Sequence, residues 1–330
     1  MEESGADYGK ERSITIDDWA DSGIVVSQKA ISLDPNLAEA YKALGLCYGG
    51  KGFVNRALDS YYKAVEKNPN YTPAVGNISI LNAERGNYSE AFRWAIKDAK
   101  LTSSEPFVYL ERGGIYLSLA DDQRAKEWFQ KALDLQPDFI YPYLALANIF
   151  VEGGDLVKAT EYVEKSLTIE PHNLSALNNL GNIKLSEGNF ASAKEYFEKA
   201  QTQSLKLIDF AFRGNTTGIG FALLRMGRRS EGMKFLDEVQ AYYEREVGRG
   251  NEYFHIRYEL ATISAVKAKP AEACEWLQKA VDAGFRNYRY TQRDPMMEGM
   301  RSDPKFLEII SQMKDKVEEQ RKLVGEADKE

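Results

Sequence analysis

Residues 38–71 read AEAYKALGLCYGGKGFVNRALDSYYKAVEKNPNY, and residues 174–207 read LSALNNLGNIKLSEGNFASAKEYFEKAQTQSLKL. Aligned, the two stretches share a small residue at Gly45 and Gly181, an alanine at Ala57 and Ala193, an aromatic at Tyr61 and Phe197, and an alanine at Ala64 and Ala200. The same columns run through the chain between them. Ala57, Ala91, Ala125, Ala159 and Ala193 follow one another at 34 residues. Gly45, Ser79, Gly113, Ala147 and Gly181 keep that step, as do Ala64, Asp98, Ala132, Ser166 and Ala200. Pro35, Pro69, Pro137 and Pro171 hold the same phase. Several independent columns locked to one period identify a repeat array, which outweighs the two-domain prior that 330 residues would otherwise suggest.

Each unit carries two apolar stripes at helical spacing. In the first unit these are Tyr41, Leu44 and Tyr48, then Leu58, Tyr61 and Val65. Gly52, Gly86, Gly154 and Gly188 mark a tight turn between the stripes. The unit is therefore helix, turn, helix. Small residues let the paired backbones approach, and proline ends the second helix. One hairpin cannot bury its own apolar faces, so neighbours must stack. The predicted fold is all-α: a right-handed α-solenoid of helix-turn-helix repeats.

With these residues the sequence resembles the tetratricopeptide repeat family. Its pattern is matched by Tyr41, Leu44-Gly45, Tyr48, Ala57, Tyr61, Ala64 and Pro69, and again by Leu177, Leu180-Gly181, Ala193, Phe197 and Ala200. Residues 38–207 hold five regular units. Gly220, Gly227 and Gly232 fit a sixth that starts near Arg213, and Ala261, Ala273 and Ala280 a seventh that starts near Phe254. Residues 208–287 are accordingly read as two divergent units with longer connectors. Residues 16–37 read as a half repeat, second helix only, behind a disordered or extended lead over 1–15. Capping helices are expected over 288–323 and a disordered tail over 324–330. Asp303-Pro304 has the form of a helix N-cap and first position. The run 284–323 also resembles the closing segment of repeat regions in bacterial signalling proteins. That likeness implies an alternative role, as the regulatory part of a larger protein with an adenylate-cyclase, protein-kinase or transcription-factor output domain.

Composition narrows the function. The net charge of −7 argues against non-specific nucleic-acid binding. No apolar run is long enough to span a bilayer, and the first residues do not form a signal peptide. The expected compartment is the cytoplasm, with the periplasm the alternative where a targeting segment precedes the chain. Two cysteines, Cys47 and Cys274, and two histidines, His172 and His255, offer no metal-ligand spacing. Gly218-Ile219-Gly220 lacks the third glycine of a dinucleotide fingerprint. No catalytic constellation emerges, so the chain is read as non-enzymatic and without a cofactor. The arginines Arg225, Arg228 and Arg229, and Arg286, Arg289, Arg293 and Arg301, read as solvated faces or as docks for an acidic partner. Two charges sit at core columns, Asp98 and Arg112, and each needs a partner or water.

Family resemblance implies that the first helices line a concave groove for a protein or an extended peptide. The groove candidates are Lys42, Leu46, Asn77, Ile80, Phe107, Leu110, Tyr141, Leu144, Asn148, Asn178 and Asn182. Asparagine amides match a peptide backbone without reading its side chains. Asn178 and Asn182, four apart, are taken to share one face, with Tyr141 and Leu144 as an apolar wall. Lys42 and Asn77 fit the family's chaperone-tail clamp, but Leu46, Phe107 and Glu111 occupy its other places. A chaperone-tail adaptor is therefore not expected. An uncovered face around Trp19, Val25 and Val26 points to self-association through the N-terminal edge.

Overall fold

In the computed structural model, residues 16–102, 105–204 and 214–328 are described. Among them every regular element is a helix. Helix α1 (Ile16–Leu33) stands first and packs on α2 (Ala38–Gly50), which pairs with α3 (Val54–Lys67). Then come α4 (Thr72–Glu84) with α5 (Tyr88–Leu101), and α6 (Pro106–Ser118) with α7 (Asp122–Leu135). Next are α8 (Ile140–Gly153) with α9 (Leu156–Ile169), and α10 (Leu174–Ser186) with α11 (Phe190–Ser204). Two further pairs are α12 (Gly214–Arg225) with α13 (Arg229–Gly248), and α14 (Phe254–Val266) with α15 (Pro270–Asp282). A short α16 (Tyr288–Arg293), a 3-10 turn at Pro295–Met300 and a long α17 (Pro304–Ala327) close the chain. The predicted lead over 1–15 lies outside the described residues.

The 34-residue columns are packing contacts. A Cβ at Gly181 would stand 2.3 Å from the Phe197 ring, so the small column of one helix and the aromatic column of its partner form one joint. Asp121, Asp155 and Asn173 cap α7, α9 and α10 through main-chain N–H groups of the first turn. Asp303 caps α17 by accepting from the N–H groups of Lys305 and Phe306, with Pro304 behind it. Both charged core columns keep a buried atom without a hydrogen bond, Asp98 Oδ1 and Arg112 Nε, and the Arg112 guanidinium lies 4.8 Å from the centre of the Trp128 ring.

The C-terminal region departs from the expected cap and tail. Phe306, Ile309, Ile310 and Met313 of α17 do cover the last repeat, packing with Ala273, Leu277 and Val281. The helix then continues through the stretch read as a disordered tail. Val324 and Ala327 are buried in the core formed by α5, α6 and α7. Tyr116 donates to Asp328 at 2.8 Å, and Arg321 donates to the Leu119 carbonyl at 3.1 Å. Lysine and glutamate dominate this stretch by number, but Val317, Val324 and Ala327 recur on one helical face. Three apolar residues on one stripe suffice to bury it.

The segment before α17 reaches the same half of the molecule. Glu252 donates its main-chain N–H to Gly52 O at 2.9 Å and accepts from Asn55 N at 2.8 Å. Gly284 and Arg286 sit against Gly86. Arg289 and Arg293 reach the turns beside Asp122 and Gly154. The repeats curve until the last one, with the arm 284–303 that follows it, meets the turns of the first four.

Candidate functional site

Two cavities lie where this arm faces the inner helices. The first, of 260 Å³, is bounded by Tyr88, Leu117, Asn148, Asn182, Asn287 and Tyr290 among others. The second, of 660 Å³, lies between the ends of α8 and α10 and the arm. Val151, Glu152, Asn182 and Tyr290 border both, so the two form one continuous inner surface.

Glu152 and Arg289 organise the junction. Glu152 has a side chain 5% exposed; it accepts from Asn287 Nδ2 at 2.7 Å and lies 3.3 Å from Arg289 Nε. Arg289 also grips both oxygens of Asp122, at 2.6 and 2.9 Å. That bidentate pairing is the strong guanidinium–carboxylate geometry. Burial pushes the Glu152 carboxyl above its usual range, and Asn287 and Arg289 hold it back. Part of the second arginine cluster is thus neither a solvated face nor a dock for another molecule. Arg289 anchors the arm to the chain's own acidic residues, and Arg286 donates to the carbonyls of Val281 and Phe285.

The predicted groove residues divide into three sets. Asn148 and Asn182 line the same cavity. Leu46, Ile80, Phe107 and Tyr141 are exposed, and Lys42, Asn77 and Leu110 are half-buried; none of these seven borders that cavity. Leu144 and Asn178, expected in the groove, are buried and do not border the cavity. Leu144 is a core residue, packed with Ala159, Val163, Ala176 and Leu180. Asn178 is 6% exposed, and neither amide atom has a hydrogen bond. Four residues turn a helix by about 40° more than a full circle. That offset carries Asn178 out of the cavity wall that Asn182 occupies.

Sequence reasoning missed Tyr88, Glu152, Asn287 and Tyr290. Glu152 lies four residues beyond Asn148, outside the groove candidates, and the arm has no repeat to place it. A further carboxyl changes character in three dimensions. Burial, with Asp98 nearby, pushes Glu111 up to about 8, so at neutral pH it presents little negative charge. Glu111 therefore repels a peptide carboxylate less than an ionised glutamate would, while neither it nor Phe107 supplies a cation at its place in the clamp.

Comparison with known proteins agrees with the repeat pattern. The tetratricopeptide repeat model matches residues 108–139 and 174–205. These two stretches are the helix pairs α6–α7 and α10–α11, and the tetratricopeptide repeat likeness is carried by them and by the fold. Mouse DnaJ homolog subfamily C member 7 is 33% identical over 98 residues, which is 30% of this chain and 20% of that protein. The human counterpart is 32% identical over the same length. The match thus spans one fifth of these relatives. The crystal structure of the APC/C hetero-tetramer Cut9-Hcn1 aligns with TM-score 0.53 and 14% identity, over 89% of this chain and 52% of that one. Yeast Tom70 aligns with TM-score 0.51 and 17% identity, over 92% of this chain and 60% of that one. These structures share the α-solenoid fold. No helix among the described residues is long and apolar enough to cross a membrane.

Proposed function

We propose that the chain is a non-enzymatic protein-interaction scaffold that holds an extended peptide segment on the inner faces of α6, α8 and α10. The observation that carries this reading is the convergence of Asn148 and Asn182, from successive repeats, on one cavity. Side-chain amides pair with both the N–H and the C=O of an extended backbone. Leu117, Val151 and Ile183 in the same wall give apolar contact to occasional side chains.

The test begins by crosslinking in the native source and mapping partner crosslinks onto the helices. Crosslinks on α6, α8 and α10 support the reading; crosslinks confined to α7, α9 and α11 overturn it. With the partner segment in hand, Asn148→Ala with Asn182→Ala weakens its binding by about tenfold, at 0.5–1.5 kcal/mol per lost hydrogen bond. Asn178→Ala leaves binding unchanged, because that amide lies outside the cavity.

A further inference from the structure

The larger cavity holds two guanidinium groups that the fold leaves largely unspent. Arg293 donates one N–H, to Gly153 O at 3.4 Å. Arg301 uses one nitrogen, shared between the carbonyls of Arg293 and Asp294 at 3.2 and 3.4 Å. These contacts are long, and each guanidinium carries five donors. Both side chains are exposed, and neither has a carboxylate within ion-pair distance among the described residues. Nearby acidic groups are already engaged. Asp294 is buried and accepts from Tyr258 and from Met296 N, at 2.7 and 2.9 Å. Glu152 is held by Asn287 and Arg289. Glu298 pairs with Arg225 at 3.3 Å, and Arg225 stacks on Phe190. In a chain of net charge −7 this is a local surplus of positive charge at the mouth of a cleft.

We propose that Arg293 and Arg301 bind an acidic stretch of the partner peptide whose neighbouring backbone crosses Asn148 and Asn182, an inference that rests on the inner-surface reading above. Continuity favours a peptide as the occupant. Asn182 borders both cavities, so a chain leaving the amide-lined floor enters the arginine cleft directly. Clustered carboxylates there would meet unspent donors, a charge-assisted contact stronger than a neutral one.

The probes are two fluorescent peptides of equal length, one rich in Asp and Glu, the other with Asn and Gln in their places, titrated into the full chain. The acidic peptide binds more tightly, and its affinity falls as ionic strength rises from about 0.05 to 0.3 M. Arg293→Gln and Arg301→Gln each weaken it by about five- to tenfold without lowering the melting temperature. If the neutral peptide binds equally well and the arginine variants change nothing, the arginine inference fails and the inner-surface reading stands. If the arginine variants weaken the acidic peptide while Asn148→Ala with Asn182→Ala does not, the cleft stands and the inner-surface reading fails. Displacement of the acidic peptide by millimolar inorganic phosphate would assign the cleft to small anions and overturn the peptide assignment. Binding of neither peptide would overturn both.

Discussion

The turns at Gly52, Gly86 and Gly154 and those at Gly188 and Gly227 share one left-handed backbone conformation, with φ between 70° and 86°. They differ in what surrounds them. A Cβ at Gly52 would come within 2.2 Å of Asn251, one at Gly86 within 2.8 Å of the Gly284 carbonyl, and one at Gly154 within 2.7 Å of Arg293. Gly188 and Gly227 meet nothing within 4 Å. One sequence signal thus serves two purposes. In five of the seven helix pairs a glycine permits the turn; in three of the first four pairs it also gives the C-terminal region room to dock. A repeat pattern reports the first purpose and is blind to the second.

The largest expected effect tests the docking directly. Arg289→Ala leaves buried Glu152 without its cation and frees Asp122, and costs about 3 kcal/mol in urea-induced unfolding. A loss below about 1 kcal/mol would show that the arm contributes little to holding the docked turns. Next comes a matched pair of glycine variants. Gly86→Ala incurs left-handed strain and a clash with a main-chain carbonyl, together about 3 kcal/mol, whereas Gly188→Ala incurs strain alone, about 1 kcal/mol. Equal losses at the two positions would erase the distinction between docked and free turns.

Two interior carboxyls give a smaller effect with a pH signature. Burial pushes Glu111, in α6 near Asp98, and Glu259, in the last repeat, each up to about 8. Unfolded, both ionise near the ordinary glutamate value of about 4.3. The folded state therefore binds more protons between about 4.3 and 8. Their contribution to stability is complete below that window, declines through it and is lost above it. Glu111→Gln and Glu259→Gln each raise stability at pH 8 by about 1–2 kcal/mol and flatten this decline. An unchanged slope in denaturation curves from pH 5 to 9 would remove both groups from the account. The smallest effect concerns the two turns that use alanine. Ala120 and Ala268 hold φ of 56° and 57°, so Ala120→Gly and Ala268→Gly each stabilise by about 0.5–1 kcal/mol in thermal melts.

What was legible in the sequence follows from distance along the chain. The solenoid was legible because a joint such as Gly181 with Phe197 recurs every 34 residues and is local. The arm was not, because Asn287 meets Glu152 across 135 residues and Arg289 meets Asp122 across 167, once each and without a periodic cue. The arginines were visible as a cluster, but their acidic counterparts were scattered among repeat positions. Within the site, Asn148 and Asn182 could be chosen from helical spacing. The burial of Asn178 depends on about 40° of helix rotation, finer than spacing resolves.

A linear stack of repeats exchanges stability only between neighbours, so it can fray from either end and melt in stages. Here the stack bends until its last elements lock onto its first. The contact between Asp122 and Arg289 closes a loop of 167 residues, and that closure carries an entropic cost before it gives anything back. Folding is then slower than in an open array of equal length, since its decisive contacts are remote in sequence. In return the ends no longer melt independently. Amide protons of α5 and of α17 should exchange with one common protection factor, as members of a single cooperative unit rather than as opposite ends of a string.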